Sequence, residues 1–124
     1  MVIVDGNNVM GQRVGWHRNK SAAQQQLIYE VGRLARSQDE SYILVFDARG
    51  QSTVPESLSR SRPSRLTIQY ARRDSSADEL ILELTYRHSQ HSEISVVTSD
   101  RALTRQLRVL GAKVMRSGVF RRML

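Results

Sequence analysis

Cysteine is absent from the 124 residues. No disulfide frame and no thiolate metal site can therefore exist. Proline is scarce, with only Pro55 and Pro63, both in one Ser/Arg-rich stretch. No apolar run approaches the roughly 18 residues that a membrane span needs. The N-terminus has no basic segment ahead of an apolar one, and Asp5 interrupts it early, which argues against a secretory signal. Histidine is sparse as well: His17, His88 and His91 lack zinc-site spacing. These absences lead us to expect a cytoplasmic, membrane-free chain. Its length suits a single domain over residues 1–124 with a core of its own.

What is abundant is positive charge. Lys and Arg number 19 against 12 acids, a net +7, and all but Lys20 and Lys113 are Arg. Arginine presents a planar fork that pairs with phosphate and stacks on bases. A basic surface around a few clustered acids suggests a polyanion partner with metal chemistry between them. A GC-rich coding sequence is the competing explanation of the arginines.

Three apolar runs end on an aspartate. Val2-Ile3-Val4-Asp5 breaks into Gly6-Asn7-Asn8. Tyr42 to Phe46 ends on Asp47, and Ile94 to Thr98 leads through Ser99 to Asp100. We expect strands at 2–5, 42–47, 66–71, 94–98 and 113–116. Helices are expected at about 22–37, 77–89 and 100–110. Leu27, Ile28, Val31, Leu34 and Ala35 share one face of the first helix at roughly 100° per residue, with Ser21 as its N-cap. Ser76-Ala77-Asp78-Glu79 reads as a capping box, and Gly111 as the residue that closes the third helix. Gly6 to Lys20 reads as a polar loop, Ala48 to Arg65 as the least structured stretch, and Ser117 to Leu124 as a tail. Helices alternating with apolar strands predict an α/β class, a mostly parallel sheet of about five strands covered on both faces. With the first and fourth strands adjacent at a switch point, Asp5 and Asp100 face each other across its crevice.

Asp5, Asp47, Asp78 and Asp100 then share one sheet edge. Clustered carboxylates repel, a penalty that a hard divalent ion removes using oxygen ligands. Such an ion stabilises negative charge on a phosphodiester and activates water. Each acid also has a structural reading. Asp5 suits a turn before Gly6, Asp47 could cap the next loop, and Asp78 favours a helix N-terminus. Glu79 fits the capping box, and Asp100 or Ser99 could be an N-cap. Asn8 could orient a carboxylate or a metal-bound water, Asn7 suits a turn, and Thr98 and Ser99 could bond the aspartates or phosphate.

The segments Val4-Asp5-Gly6-Asn7-Asn8-Val9, Val45-Phe46-Asp47-Ala48, Ser76-Ala77-Asp78-Glu79-Leu80-Ile81 and Val97-Thr98-Ser99-Asp100 resemble the NYN domains of the PIN-like nuclease superfamily. Their similarity is greatest to the YacP-like branch and covers nearly the whole chain. The resemblance implies a three-layer α/β/α fold and Mg²⁺- or Mn²⁺-dependent ribonuclease activity. It implies that Asp5, Asp78 and Asp100 form the metal pocket, with Asp47 joining it. It also implies an endoribonuclease acting on messenger RNA at the ribosome.

Arg101, Arg105 and Arg108 form one stripe of the third helix, opposite Leu103, Leu107 and Leu110. The stripe is either a phosphate track or an ordinary solvated face. Arg60, Arg62, Arg65, Arg72 and Arg73 make a second basic zone, and Arg121 and Arg122 a third. Trp16, beside His17 and Arg18, either stacks an unpaired base or covers the core edge. Tyr29, Tyr42, Tyr70 and Tyr86 are expected at the core boundary, and His88 against its helix. Two hypotheses compete: a metal-dependent endoribonuclease, and an RNA- or ribosome-binding domain that cuts nothing. An aspartyl phosphotransferase is disfavoured, because no second aspartate stands two residues after Asp5 and no Lys follows the fourth strand.

Overall fold

Runs that are apolar on both faces become inner strands of a parallel sheet, because helices cover each side. In the computed structural model, which describes residues 1–47, 65–90 and 92–124, this holds for Val2–Asp5 and Tyr42–Phe46. The elements in chain order are β1 Val2–Asp5, α1 Gly6–Met10, a 3-10 turn Trp16–Arg18, α2 Lys20–Gln38, β2 Tyr42–Phe46 and β3 Leu66–Tyr70. There follow α3 Ala77–Ser89, β4 Ser95–Val97, α4 Arg101–Val109, β5 Lys113–Met115 and α5 Ser117–Arg121. The five strands run parallel in the order β3-β2-β1-β4-β5. The chain winds from β1 outward through β2 and β3, then returns to β4 on the other side. The switch point thus lies between β1 and β4, as expected.

Strand alternation sorts the core into two layers. Val4, Leu44, Phe46 and Val97 pack with Val9, Met10, Leu27, Ile28, Val31 and Phe120, which come from α1, α2 and α5. Ile3, Ile43, Val45 and Val96 pack with Ala77, Ile81, Leu84, Leu103 and Leu107, which come from α3 and α4. The result is the three-layer α/β/α sandwich. β3 is less buried than β1 and β2, as its sequence alternation indicated. Gly111 adopts φ +87 just after α4, the left-handed geometry that closes a helix.

Several local expectations are corrected. The span from Gly6 to Lys20 is not all loop: its first five residues form α1, held down by buried Val9 and Met10. The N-cap of α2 is Asn19, whose Oδ1 accepts from the Ala22 N–H at 3.1 Å, and not Ser21. The tail forms α5, anchored by the buried ring of Phe120. Tyr42 is buried rather than at the boundary, while Tyr29 and Tyr86 are more than half exposed or close to it. Arg60, Arg62 and His91, and the stretch after Asp47 up to Ser64, lie outside the described residues.

Candidate active site

Parity along the strands puts the acids in one place. Asp5 follows Ile3 by two residues, Asp47 follows Val45, and Thr98 follows Val96. All three therefore share the parity of the layer that packs on α3 and α4. Asp78 stands in the first turn of α3, and Asp100 is the N-cap of α4. Carboxyl ends of strands and amino ends of these helices meet at the same edge, beside the switch point.

The residue after Asp5 must be glycine for a steric reason. A Cβ on Gly6 would come within 2.6 Å of Phe46 Cε1 and 2.8 Å of the Val45 carbonyl oxygen. The chain leaves β1 pressed against the end of β2, which holds Asp5 near Asp47.

Asp5 is buried, with 4% of its surface exposed. Its Oδ2 accepts from the Thr98 hydroxyl at 2.9 Å. Thr98 Oγ1 in turn accepts from the Asp100 N–H at 3.2 Å. Asp100 Oδ1 caps α4 by accepting from the Leu103 N–H at 2.8 Å. Asp47 Oδ1 accepts from the Ala77 N–H at 3.1 Å, and its own N–H donates to Asn7 Oδ1 at 2.8 Å. Asp100 therefore caps its helix while standing in the acidic row. Asp47 braces the start of α3.

Electrostatics ties the acids together. Burial pushes the Asp5 carboxyl from 3.8 up to about 6; the Thr98 hydrogen bond opposes this, and the charges of Asp78 and Asp47 add to it. Asp78 is raised as well, first by desolvation and then by the charges of Asp100 and Asp47. Among the described residues no hydrogen bond or ion pair holds the Asp78 carboxylate.

These groups fit a divalent ion in kind. The donors are carboxylate oxygens, as hard cations require, and a cation between them would relieve the repulsion that raises Asp5 and Asp78. Their arrangement is more open than a closed cage. Among the described residues, no three His, Cys, Asp or Glu groups converge tightly enough to form one.

The other candidate residues divide. The Asn8 side chain turns away from the acids, its Oδ1 accepting from the Ser99 N–H at 3.0 Å and the Ser117 hydroxyl at 2.6 Å, while its backbone N–H bonds the Asp5 carboxylate and favours the charged form. Ser99 Oγ accepts from the Ser117 N–H at 2.9 Å, so it braces α5 and does not bond an aspartate. Glu79 completes only half of a capping box. Its N–H donates to Ser76 Oγ at 3.2 Å, but its carboxylate accepts from Ser75 Oγ at 2.7 Å, outside the acidic row. Arg101, Arg105 and Arg108 do share a face, and with Thr98, Ser99 and Arg116 they line a hollow of about 440 Å³. Arg72 and Arg73 are exposed just beyond β3, at the far end of the sheet from β5, and Arg72 lies 3.7 Å from Asp74. Trp16 covers the core edge, flanked by His17 and with Lys20 Nζ 5.6 Å from its ring centre, while Arg18 is exposed. Asn7, read in the sequence as a turn former, holds the Asp47 N–H instead, and Arg116 went unread. Arg116 carried a usable signal, since it leaves a strand end as Asp5 and Asp47 do.

Comparison with known proteins gives a consistent picture. Two solved structures are similar along nearly the full chain: Rae1 (YacP) from Bacillus subtilis and a single-substitution mutant of it. The wild-type structure is 23% identical with a TM-score of 0.78, covering 99% of this chain and 72% of that one. The mutant is 22% identical with a TM-score of 0.80, covering 98% and 72%. At this identity the likeness speaks to the fold. No curated protein matches the chain by sequence. The description YacP-like NYN domain matches residues 2–124, and the chain therefore belongs to the YacP-like NYN domain family.

Proposed function

We propose that this protein is a divalent-metal-dependent endoribonuclease, with Asp5, Asp78 and Asp100 as ligands of Mg²⁺ or Mn²⁺ and Asp47 supporting them. The observation that carries this reading is Asp5 itself. It is a buried carboxylate at the switch point, raised to about 6, with Asp78 and Asp47 as repelling neighbours. A buried acid with no chemistry to do is costly to retain. Family membership supports the coarser statement, an RNA-related domain of nuclease type.

A bound divalent ion supplies charge neutralisation at the phosphodiester and a more acidic water. The chain's own residues do the rest. Thr98 fixes the Asp5 carboxylate and favours its charged form. The Asp100 N–H and Thr98 Oγ1 lock the turn between β4 and α4. Asp47, bonded to the Ala77 N–H, holds the start of α3 so that Asp78 stays at the edge. The arginine face of α4 binds the backbone and positions the strand, with little reading of sequence. Messenger RNA at the ribosome, in the cytoplasm, is the substrate that the family resemblance suggests.

The test is cleavage of a labelled single-stranded RNA with Mn²⁺ and then with EDTA. Asp5→Asn and Asp100→Asn are each expected to lose at least about 100-fold in rate while keeping the wild-type circular dichroism spectrum. Wild-type rates in either variant would end this mechanism. The open arrangement of the acids favours a second reading, an RNA-binding domain that does not cut. RNA binding with no divalent-dependent product would support it.

A further inference from the structure

Two hollows meet beside the acidic edge. The first is walled by the arginine face of α4 and by Arg116. The second, of about 360 Å³, is walled by Gln12, Gly118, Val119 and Arg122. Ser99 and Arg116 line both, so the two adjoin. Among the described residues no acidic side chain lines either one.

The arginines along this track are exposed or nearly so. None of Arg101, Arg105, Arg108, Arg116 and Arg122 forms an ion pair among the described residues. Their neighbour Arg121 behaves differently, because it is tied to Glu30 at 3.3 Å. A row of unpaired guanidinium groups with no carboxylate between them is complementary to an extended polyanion. Ser99 stands at the junction with its oxygen accepting from the Ser117 N–H, which leaves the hydroxyl proton for a ligand oxygen.

Size selects the form of the polyanion. Each hollow falls in the roughly 300–1,000 Å³ range of a small-ligand site, which suits nucleotides of one strand and not a duplex. From Arg101 to Arg108 the helix rises only about 10 Å. The row must therefore continue onto another element to hold a longer strand, and Arg116 is where it turns onto α5.

We propose that a single RNA strand leaves the acidic edge over the β5 side of the sheet, its phosphates passing from the α4 arginines across Arg116 to Arg122. Arg116 is the positioning residue that joins the two halves. The location of the scissile bond rests on the nuclease reading; the track itself does not.

The test measures binding of a fluorescein-labelled oligouridylate of about 12 nucleotides to the full chain in EDTA, over a salt series. Each phosphate contact removed lowers the slope of log K against log salt by about 0.7 for a single strand. Arg105→Gln and Arg116→Gln are each expected to lose that slope increment and about three- to tenfold in affinity near 0.1 M salt. Arg116→Lys should keep the slope. Gly118→Glu should weaken binding by placing a carboxylate in the second hollow, where a Cβ has ordinary room. Arg87→Gln, off the track and on a residue already paired with Glu83, should change neither quantity.

Unchanged slopes in both Arg105→Gln and Arg116→Gln, with thermal melts like wild type, would overturn the proposal. So would equal affinity for a duplex of the same length. A polyglutamate peptide that binds more tightly than the oligonucleotide would overturn it in favour of an acidic protein partner. EDTA removes cleavage from the measurement. Lost cleavage with intact binding therefore sinks the nuclease reading alone, and absent binding sinks the track alone.

Discussion

Asp5 keeps a proton in the folded chain over a range where the unfolded chain has released it, from 3.8 up to about 6. The folded state binds more protons there, so stability falls as pH rises through that window. A shift of about two pH units corresponds to roughly 3 kcal/mol. Asp5→Asn is thus expected to be more stable than wild type at pH 7.5 in EDTA, by up to about 3 kcal/mol, and to lose that advantage below pH 4. Urea melts at the two pH values check this; a variant less stable at both would contradict the burial argument. Asp78, raised by desolvation and by Asp100 and Asp47, adds to the same trend. Gly6 makes the opposite case, where a small change is harmful. Gly6→Ala drives a Cβ into the Val45 carbonyl and the Phe46 ring, and it is expected to cost about 1–3 kcal/mol by overpacking. Its melting temperature against wild type is the measurement.

At the level of elements, what could be read in sequence follows length and period. α2, α3 and α4 are long enough for an apolar face to repeat, and Leu27, Ile28, Val31 and Ala35 are buried as that face required. The strands were legible because β1 and β2 are apolar without interruption. α1 and α5 are five residues each, too short to show a period. Their helical state comes from tertiary contacts that only the fold brings together. Asn8 bonds both the Ser99 N–H and the Ser117 hydroxyl. Glu30 on α2 sits between Arg13 and Arg121, with about a fifth of its side chain exposed. Asn8→Ala is expected to cost about 1–3 kcal/mol, since it strands the hydroxyl of buried Ser117 and removes the partner of the exposed Ser99 N–H. Hydrogen exchange should then rise across residues 117–121 before the rest of the chain. The site shows the same division. Aspartates that end apolar runs are visible in a sequence. That Asn8 faces α5, and Glu79 faces Ser75, is decided by side-chain direction, which no spacing encodes.

For the whole molecule, the net charge of +7 surrounds an edge that is locally acidic. A cation bound there should stabilise the fold by mass action, by about 2.7 kcal/mol at a hundred times its Kd. Mn²⁺ is expected to raise the melting temperature at pH 7.5 in wild type and not in the Asp5→Asn, Asp100→Asn double variant. A shift of equal size in both would place the ion elsewhere. Chain order has a further consequence. The Thr98 hydroxyl that holds Asp5 lies 93 residues away in sequence, and the Asn8 to Ser117 bond closes 109. Because β1 pairs with β4, its half of the crevice stands open until residues 95–97 have been made. A growing chain thus carries Asp5 without its Thr98 partner, and under the proposed nuclease function it has no assembled centre until β4 and α4 have joined β1. In a series of arrested chains of increasing length, divalent-dependent cleavage is expected to begin only once α5 has cleared the exit tunnel.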